Sequence, residues 1–442
     1  MSNSTSLATR ILWGLAIGVI AGVITLVIGH FHPIVLTGAR ALSSSLLDPF
    51  GQIFLRLLFF VVIPLVFASL ASGVAQLGRL DRLGPLAGRT FLLFFANMAI
   101  AVVIGLIMMN ILQPGHHLAA GSQQLLMSEY GGSAQKAVEV EREQPSMSLA
   151  VLVDMFMPRN LFGAFVGQSR GALGDVLPLI LFAILVGAAA TLLSEEKRAR
   201  LQAGLDLISE VMTGIVGFAL KLAPYAVPAM IYSVIVKVGV DILLTLSVFV
   251  LGCAAALMLH LFGTMSLWLR LFARRRPLAY FKQIRPLLIT AFSTSSSSAS
   301  LPASLAIARD ELKLSPSTAG FVLPLGATMN MSGTALFEGC VVLFVAQAFG
   351  VDLSLAQQAL LMLLAVLSAV AVAGIPGGSL PLIAGLLATF DVPAEGIGIV
   401  LGVDRILDML RTTVNVGSDI VTATVVDAQI RGKSAATLGK SP

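Results

Sequence analysis

Six residues near the C-terminal end, Asp404, Asp408, Arg411, Thr412, Asn415 and Asp419, follow one another at spacings of 4, 3, 1, 3 and 4. On an α-helix those intervals line up along one narrow face. They fall in an apolar run, 395–427. An ionisable side chain in a membrane segment is costly and normally faces a polar interior. Asp408 and Arg411 could bind the two ends of a zwitterion. Three carboxylates against Arg405 and Arg411 leave excess negative charge that a bound cation would neutralise. A structural salt-bridge ladder would give the same pattern.

Two further stretches carry chemistry. The run 318–346 contains Pro324 and then Gly326, Ala327, Thr328, Met329, Asn330, Met331, Ser332, Gly333 and Thr334. Pro and Gly here would unwind a helix, and the freed carbonyls would suit a hard cation. Close helix packing through small residues is the competing explanation. The stretch Ser293 to Ser300, followed by Pro302, offers hydroxyls and turn amides that suit a carboxylate at a half-helix N-terminus. A bare serine run also makes a flexible turn.

The elements that must hold these residues are membrane spans. Of 442 residues, 57% are hydrophobic and 12% charged, about half the charged share of a soluble domain. The net charge of +5 is scattered among apolar runs, which argues against a nucleic-acid partner. The first run, Ile11 to Ile28, reads as a span and not a cleavable signal. Others lie near 49–74, 90–112, 149–193, 205–236, 240–268, 318–346 and 395–427, giving eight crossings. The stretches 287–308 and 359–389 are interrupted, by the serine run and by Gly374-Ile375-Pro376-Gly377-Gly378. Such backbone is tolerated at membrane depth only inside protein or beside water, so both read as re-entrant hairpins. Two ordinary spans are the alternative.

With the N-terminus inside, inner segments hold 18 Lys or Arg and outer segments four, a strong positive-inside bias with both termini cytoplasmic. A pair of interrupted segments in corresponding positions points to a midplane binding site. Cys253 and Cys340 sit in apolar stretches and read as core. A membrane-embedded serine hydrolase is a poor fit. The chain has no HExxH, no histidine lies near the serine run, and His30, His32, His116, His117 and His260 fall in loops or at span ends. A passive channel would not need a zwitterion-matched pair.

Ser295-Ser296-Ser297-Ser298 with Leu301-Pro302, Asn330-Met331-Ser332-Gly333-Thr334, Gly374-Ile375-Pro376-Gly377, and DMLRTTVNVGSD from Asp408 to Asp419 together resemble the dicarboxylate/amino acid:cation symporter family, the glutamate transporter homologues. The resemblance covers roughly 10–430. It implies an all-α polytopic membrane protein of eight transmembrane helices plus two re-entrant hairpins. It also implies a homotrimer in the bacterial inner membrane, working by an elevator motion, and a symporter rather than an enzyme. In that arrangement 1–236 is mostly scaffold and trimerisation helices, with the third span (90–112) joining the transport domain. The sixth span (237–277) belongs to the transport domain, and 278–442 is its core. Within the core lie hairpin 1 (about 278–311), span 7 (about 318–346), hairpin 2 (about 354–390) and span 8 (about 395–430). The substrate would be aspartate, glutamate or a related dicarboxylate, with neutral amino acids or C4-dicarboxylates as the runner-up. Asp408 matches the amine-binding residue and Arg411 the one that binds the side-chain carboxylate. Ser296, Ser297, Ser298, Thr334, Ile375, Gly377, Thr412 and Asn415 match further substrate contacts. Gly326, Thr328, Asn330, Asn415 and Asp419 match a sodium site.

The family's Asn-Met-Asp-Gly-Thr has Ser332 in place of its Asp here. By eye, Phe94, Asn97 and Met98 replace a tyrosine and two hydroxyl residues of the cation site to which that Asp belongs, the family's third sodium site, so both halves of that site are dismantled here. Ser295 and Met409 stand where an arginine is usual. No classical cofactor is implied. The coupling ions would be one or two sodium ions, with a proton on Glu338 as an addition or replacement. Glu338 matches a protonatable glutamate of the proton-coupled branch, and a carboxyl inside a span is costly to keep charged. Its competing role is a hydrogen bond to a neighbouring helix.

Overall fold

The computed structural model describes residues 7–77, 85–118, 157, 159–166, 176–372 and 379–438. Among these residues every regular element is helical. The first group is α1 (Leu7–Phe31), α2 (Pro33–Leu42), α3 (Asp48–Phe59) and α4 (Val62–Leu77), with a π-helical turn at Ser43–Leu47 between α2 and α3. Next come α5 (Pro85–Leu112), α6 (Leu161–Val166), α7 (Val176–Ala190) and α8 (Glu195–Val238). The chain continues through α9 (Asp241–Met258), a π turn at Leu259–Thr264, and α10 (Met265–Leu271). The remaining helices are α11 (Pro277–Thr294), α12 (Ser297–Asp310), α13 (Pro316–Met329), α14 (Ser332–Ala348), α15 (Leu355–Ala371), α16 (Leu380–Thr389) and α17 (Ile397–Leu438).

Local sequence explains the helix starts. Pro33, Pro85, Pro277 and Pro316 open helices, where their missing N–H is no loss. Ser296, Ser315 and Ser354 are N-caps whose side chains accept from Ala299, Thr318 and Gln357 backbone N–H groups, and Ser354 completes a capping box with Gln357.

Among the described residues, five helical stretches are long and apolar enough to cross a membrane: Trp13–Phe31, Leu86–His117, Glu195–Ala219, Ile242–Leu271 and Pro316–Ala348. Ile63–Ala75, Leu181–Ala190 and Leu355–Val370 are shorter apolar helices. The expected run 395–427 forms the long α17, whose charges at Asp404, Arg405, Asp408 and Arg411 dilute its apolar character. Much of the expected crossing 149–193 lies outside the described residues. His260, expected in a loop or at a span end, sits buried in the π turn within the sixth apolar run.

Helices α1, α3, α4, α7 and α8 pack on one another, while α5 and α9 to α17 gather around α14 and α17. Every residue of α14 is buried. Small residues make the close contacts, as expected where lipid supplies no hydrophobic drive between helices. Gly14, Gly18 and Gly22 of α1 lie against Pro224, Pro228, Ile231 and Ile235 of α8. Gly105 of α5 lies against Leu336 and Cys340 of α14. A Cβ at Gly18 would meet Ile231 Cγ2 at 2.5 Å and the Pro228 carbonyl at 2.6 Å. Gly18→Leu is therefore expected to force α1 from α8 and cost about 1–3 kcal/mol. Thermal melting in detergent reads this, and an unchanged midpoint would contradict the contact.

Candidate functional site

Helix α17 buries the face that the spacing anticipated: Asp404, Asp408, Arg411, Thr412, Asn415 and Asp419 are all buried, Arg411 being only 2% exposed. Arg411 Nη2 donates to Asp408 Oδ1 at 2.6 Å and lies 3.3 Å from Asp404 Oδ1. Its Nη1 donates to Ser379 Oγ at 2.9 Å. The guanidinium stands 4.0 Å from the Phe337 ring centroid, within cation–π range. Arg405 Nη1 reaches Asp408 Oδ2 at 3.3 Å. Opposite charges thus meet side by side in the interior, where unpaired they would be expensive.

One turn further on, α17 faces a break in the helix opposite. Proline and glycine were expected to unwind that helix at Pro324 and Gly326. Instead α13 continues through both, and the break falls at Asn330 (φ −114°, ψ 59°) and Met331 (φ −89°, ψ 61°). Pro324 leaves only one helical hydrogen bond unmade, whereas no helical backbone passes through these two dihedral pairs. Asn330 Nδ2 donates to Asp419 Oδ1 at 2.8 Å and Ser418 Oγ at 3.2 Å. Asn415 Oδ1 accepts from the Gly333 N–H at 2.8 Å and the Thr334 N–H at 3.3 Å, satisfying the exposed start of α14. Its Nδ2 donates to Thr334 Oγ1 at 3.1 Å. Ser332 Oγ donates to Ser418 Oγ at 3.1 Å. A Cβ at Gly326 would lie 2.6 Å from Asp419 Oδ1, so the missing side chain is what admits the carboxylate. The Gly326 carbonyl accepts the Asn330 N–H at 3.0 Å and keeps a second lone pair for a cation. Thr328 is different: it is exposed, and its hydroxyl donates to the Leu325 carbonyl.

The serine run is an ordered turn. Ser295 adopts a left-handed conformation (φ 50°) and ends α11; Ser296 caps α12, which packs back on α11. Ser297 is buried and Ser298 exposed. Pro302 lies inside α12 and does not break it. Ile375 and Gly377 lie outside the described residues. Glu338 is fully buried within α14, and its carboxyl oxygens make no hydrogen bond of good geometry; Ser368 of α15 is the hydroxyl that faces it.

Four partners escaped the sequence reading. Ser418 lies three residues after Asn415 on the polar face, so helical spacing could have found it. Arg405 counted there only as balancing charge. Ser379 and Phe337 carry no local signal, because they meet Arg411 only through the packing of α14, α16 and α17.

An apolar helical chain that buries a carboxylate–guanidinium pair beside an oxygen-lined helix break has the make-up of a polytopic membrane transporter. Residues 7–429 match the sodium:dicarboxylate symporter family, and the chain belongs to that family. It is 32% identical over 414 residues to a proton/sodium-glutamate symport protein of Bacillus caldotenax, covering 94% of this chain and 93% of that one. It is 29% identical over 425 residues to the proton/glutamate-aspartate symporter of Escherichia coli (strain K12), covering 95% and 92%. A C4-dicarboxylate transport protein of Mesorhizobium japonicum is 30% identical over 403 residues, covering 90% and 79%. The family consists of transporters, not enzymes.

Proposed function

We propose that the protein is a secondary symporter that brings an acidic amino acid, aspartate or glutamate, or a C4-dicarboxylate across the bacterial inner membrane together with cations. The observation that carries this reading is the buried Asp408–Arg411 pair on α17, about two turns of that helix before Asp419, which lies against Asn330 and Gly326. Arg411 is planar and forked, which suits a substrate carboxylate. Asp408 takes the ammonium. An incoming zwitterion exchanges the internal pair for two substrate contacts of the same charge pattern. Thr334, Thr412, Asn415, Ser296, Ser297 and Ser298 are the remaining described substrate residues, and Ile375 and Gly377 complete the set. Gly326, Asn330, Asn415 and Asp419 hold sodium. Thr328 can take part only through its carbonyl, since its hydroxyl is engaged elsewhere. Glu338 carries a proton. The relatives' names, glutamate, aspartate and C4-dicarboxylate transporters, support the same substrate class.

The architecture in this reading is eight transmembrane helices and two re-entrant hairpins, α11–α12 and α15–α16. The protein works as a homotrimer with cytoplasmic termini. The mutual packing of α1, α3, α4, α7 and α8, of which α1 and α8 also touch α17, supports a scaffold of these helices beside a moving core around α14 and α17, as an elevator needs. A dicarboxylate reading is favoured by one contact: Asp408 already has Arg405 as a second partner, so its charge stays balanced without an amine. Uptake of labelled aspartate into proteoliposomes, with glutamate, succinate and serine as competitors under imposed sodium or proton gradients, tests both. Accumulation driven by neither gradient would defeat the proposal, and inhibition by succinate but not by glutamate would select the dicarboxylate.

A further inference from the structure

Asn97 lies on α5, fully buried, and its Nδ2 donates to Asn330 Oδ1 at 3.0 Å. Its own Oδ1 is buried with no hydrogen-bond partner. The orientation of this amide is set from the far side. Asn330 spends its Nδ2 on Asp419 Oδ1 and Ser418 Oγ, so its oxygen must face α5, where only a donor satisfies it. An apolar residue of similar size would fill the position on α5 without stranding a buried oxygen. What the amide supplies in return is the donor to Asn330. Asn330 itself is the C-cap at the helix break: its N–H still bonds the Gly326 carbonyl, but its φ and ψ and those of Met331 are not helical.

We infer that Asn97 is a positioning residue of the cation site. Its amide holds the Asn330 side chain in the rotamer that orients the Asp419 carboxylate, two hydrogen bonds away. This rests on the reading of Asp419, Gly326 and Asn330 as that site. One consequence is specific: with Asn330 Oδ1 turned to α5 and Nδ2 to Asp419, a cation beside Asp419 draws on the backbone carbonyl of Asn330 and not on its side chain. Helix α5 thereby tunes the affinity of a cation that it does not touch, as the outer partners of metal ligands do.

The test uses purified full-length protein and two readouts: sodium-dependent thermal stabilisation without substrate, and sodium dependence of aspartate uptake in proteoliposomes. In Asn97→Leu the half-saturating sodium concentration rises about tenfold in both, while KM for aspartate at saturating sodium stays within about twofold. Melting in choline reports whether the variant is folded, and Asn97→Ala takes its place if it is not. A variant with the parent's sodium curve, or one whose maximal rate falls with an unchanged sodium curve, overturns the inference alone. A parent whose melting ignores sodium overturns the cation-site reading and the inference with it. A parent that responds to sodium but does not take up aspartate leaves the melting readout to decide.

Discussion

Arg411→Cys is expected to abolish transport of acidic substrates. Arg411 is held by Asp408, Ser379 and the Phe337 ring, so its guanidinium is preorganised and little rotamer freedom remains to be lost when a carboxylate arrives. Removing one partner of a buried charge pair costs about 3–5 kcal/mol, a loss in substrate affinity of at least about a hundredfold. The vacated volume, between Phe337, Ser379 and the two carboxylates, no longer holds a cation that calls for a substrate carboxylate, so serine or alanine enters more readily in the variant. Asp408→Asn gives the complementary result. It weakens amino acids far more than any dicarboxylate, since only the former present an ammonium. Competition of labelled aspartate by aspartate, succinate, serine and alanine in parent and variants measures both effects. Aspartate uptake that survives Arg411→Cys within a few-fold would sink the assignment.

Asp419→Asn is expected to remove sodium coupling almost completely. The carboxylate is buried, is held by Asn330, and is seated where Gly326 has no side chain. Around it stand amides and hydroxyls: Asn330, Asn415, Ser332 and Ser418. A hard cation in this cluster depends on Asp419 for its anionic oxygen. With Ser332 neutral and Met98 offering only sulfur, no more than two sodium ions are expected to accompany each substrate. Glu338→Gln should have a different signature: it removes dependence on the proton gradient and leaves dependence on sodium. Reversal potentials of substrate flux at set sodium and pH gradients separate these variants. Three sodium ions per substrate with no pH dependence in the parent would refute the coupling scheme. So would a Glu338→Gln protein whose flux follows pH as the parent's does.

Much of the site was legible because a helix converts spacing into direction. Intervals of three and four residues cannot place Asp404, Asp408, Arg411, Asn415 and Asp419 anywhere but along one side of α17, and charges in an apolar run must turn inward. The break before α14 was legible in kind but not in position. Glycine and proline mark where a helix can end, while the actual end, at Asn330 and Met331, comes one turn later, where Asn415 caps the exposed N–H groups of Gly333 and Thr334. Thr328, expected at the cation site, stays inside regular helix for the same reason, with its side chain exposed and its hydroxyl on the Leu325 carbonyl.

The residues alone therefore determined a membrane-embedded helical chain, the face of α17 that carries charge, and the segments where backbone leaves the helix. These follow from composition and periodicity, which are properties of the chain before it folds. Only the tertiary structure decided which groups meet. Asp408 and Arg411 hold one another, Ser379 and Phe337 complete the seat of the guanidinium, and Asn97 reaches Asn330 across 233 residues of sequence. Those pairings depend on how closely α5, α14, α16 and α17 approach. That approach is governed by small residues such as Gly105, Gly326 and Gly333, where a Cβ would strike Leu336, Asp419 or the Arg411 carbonyl. Steric fit between distant helices leaves no periodic trace in the sequence of either one, which is why it had to be seen in three dimensions.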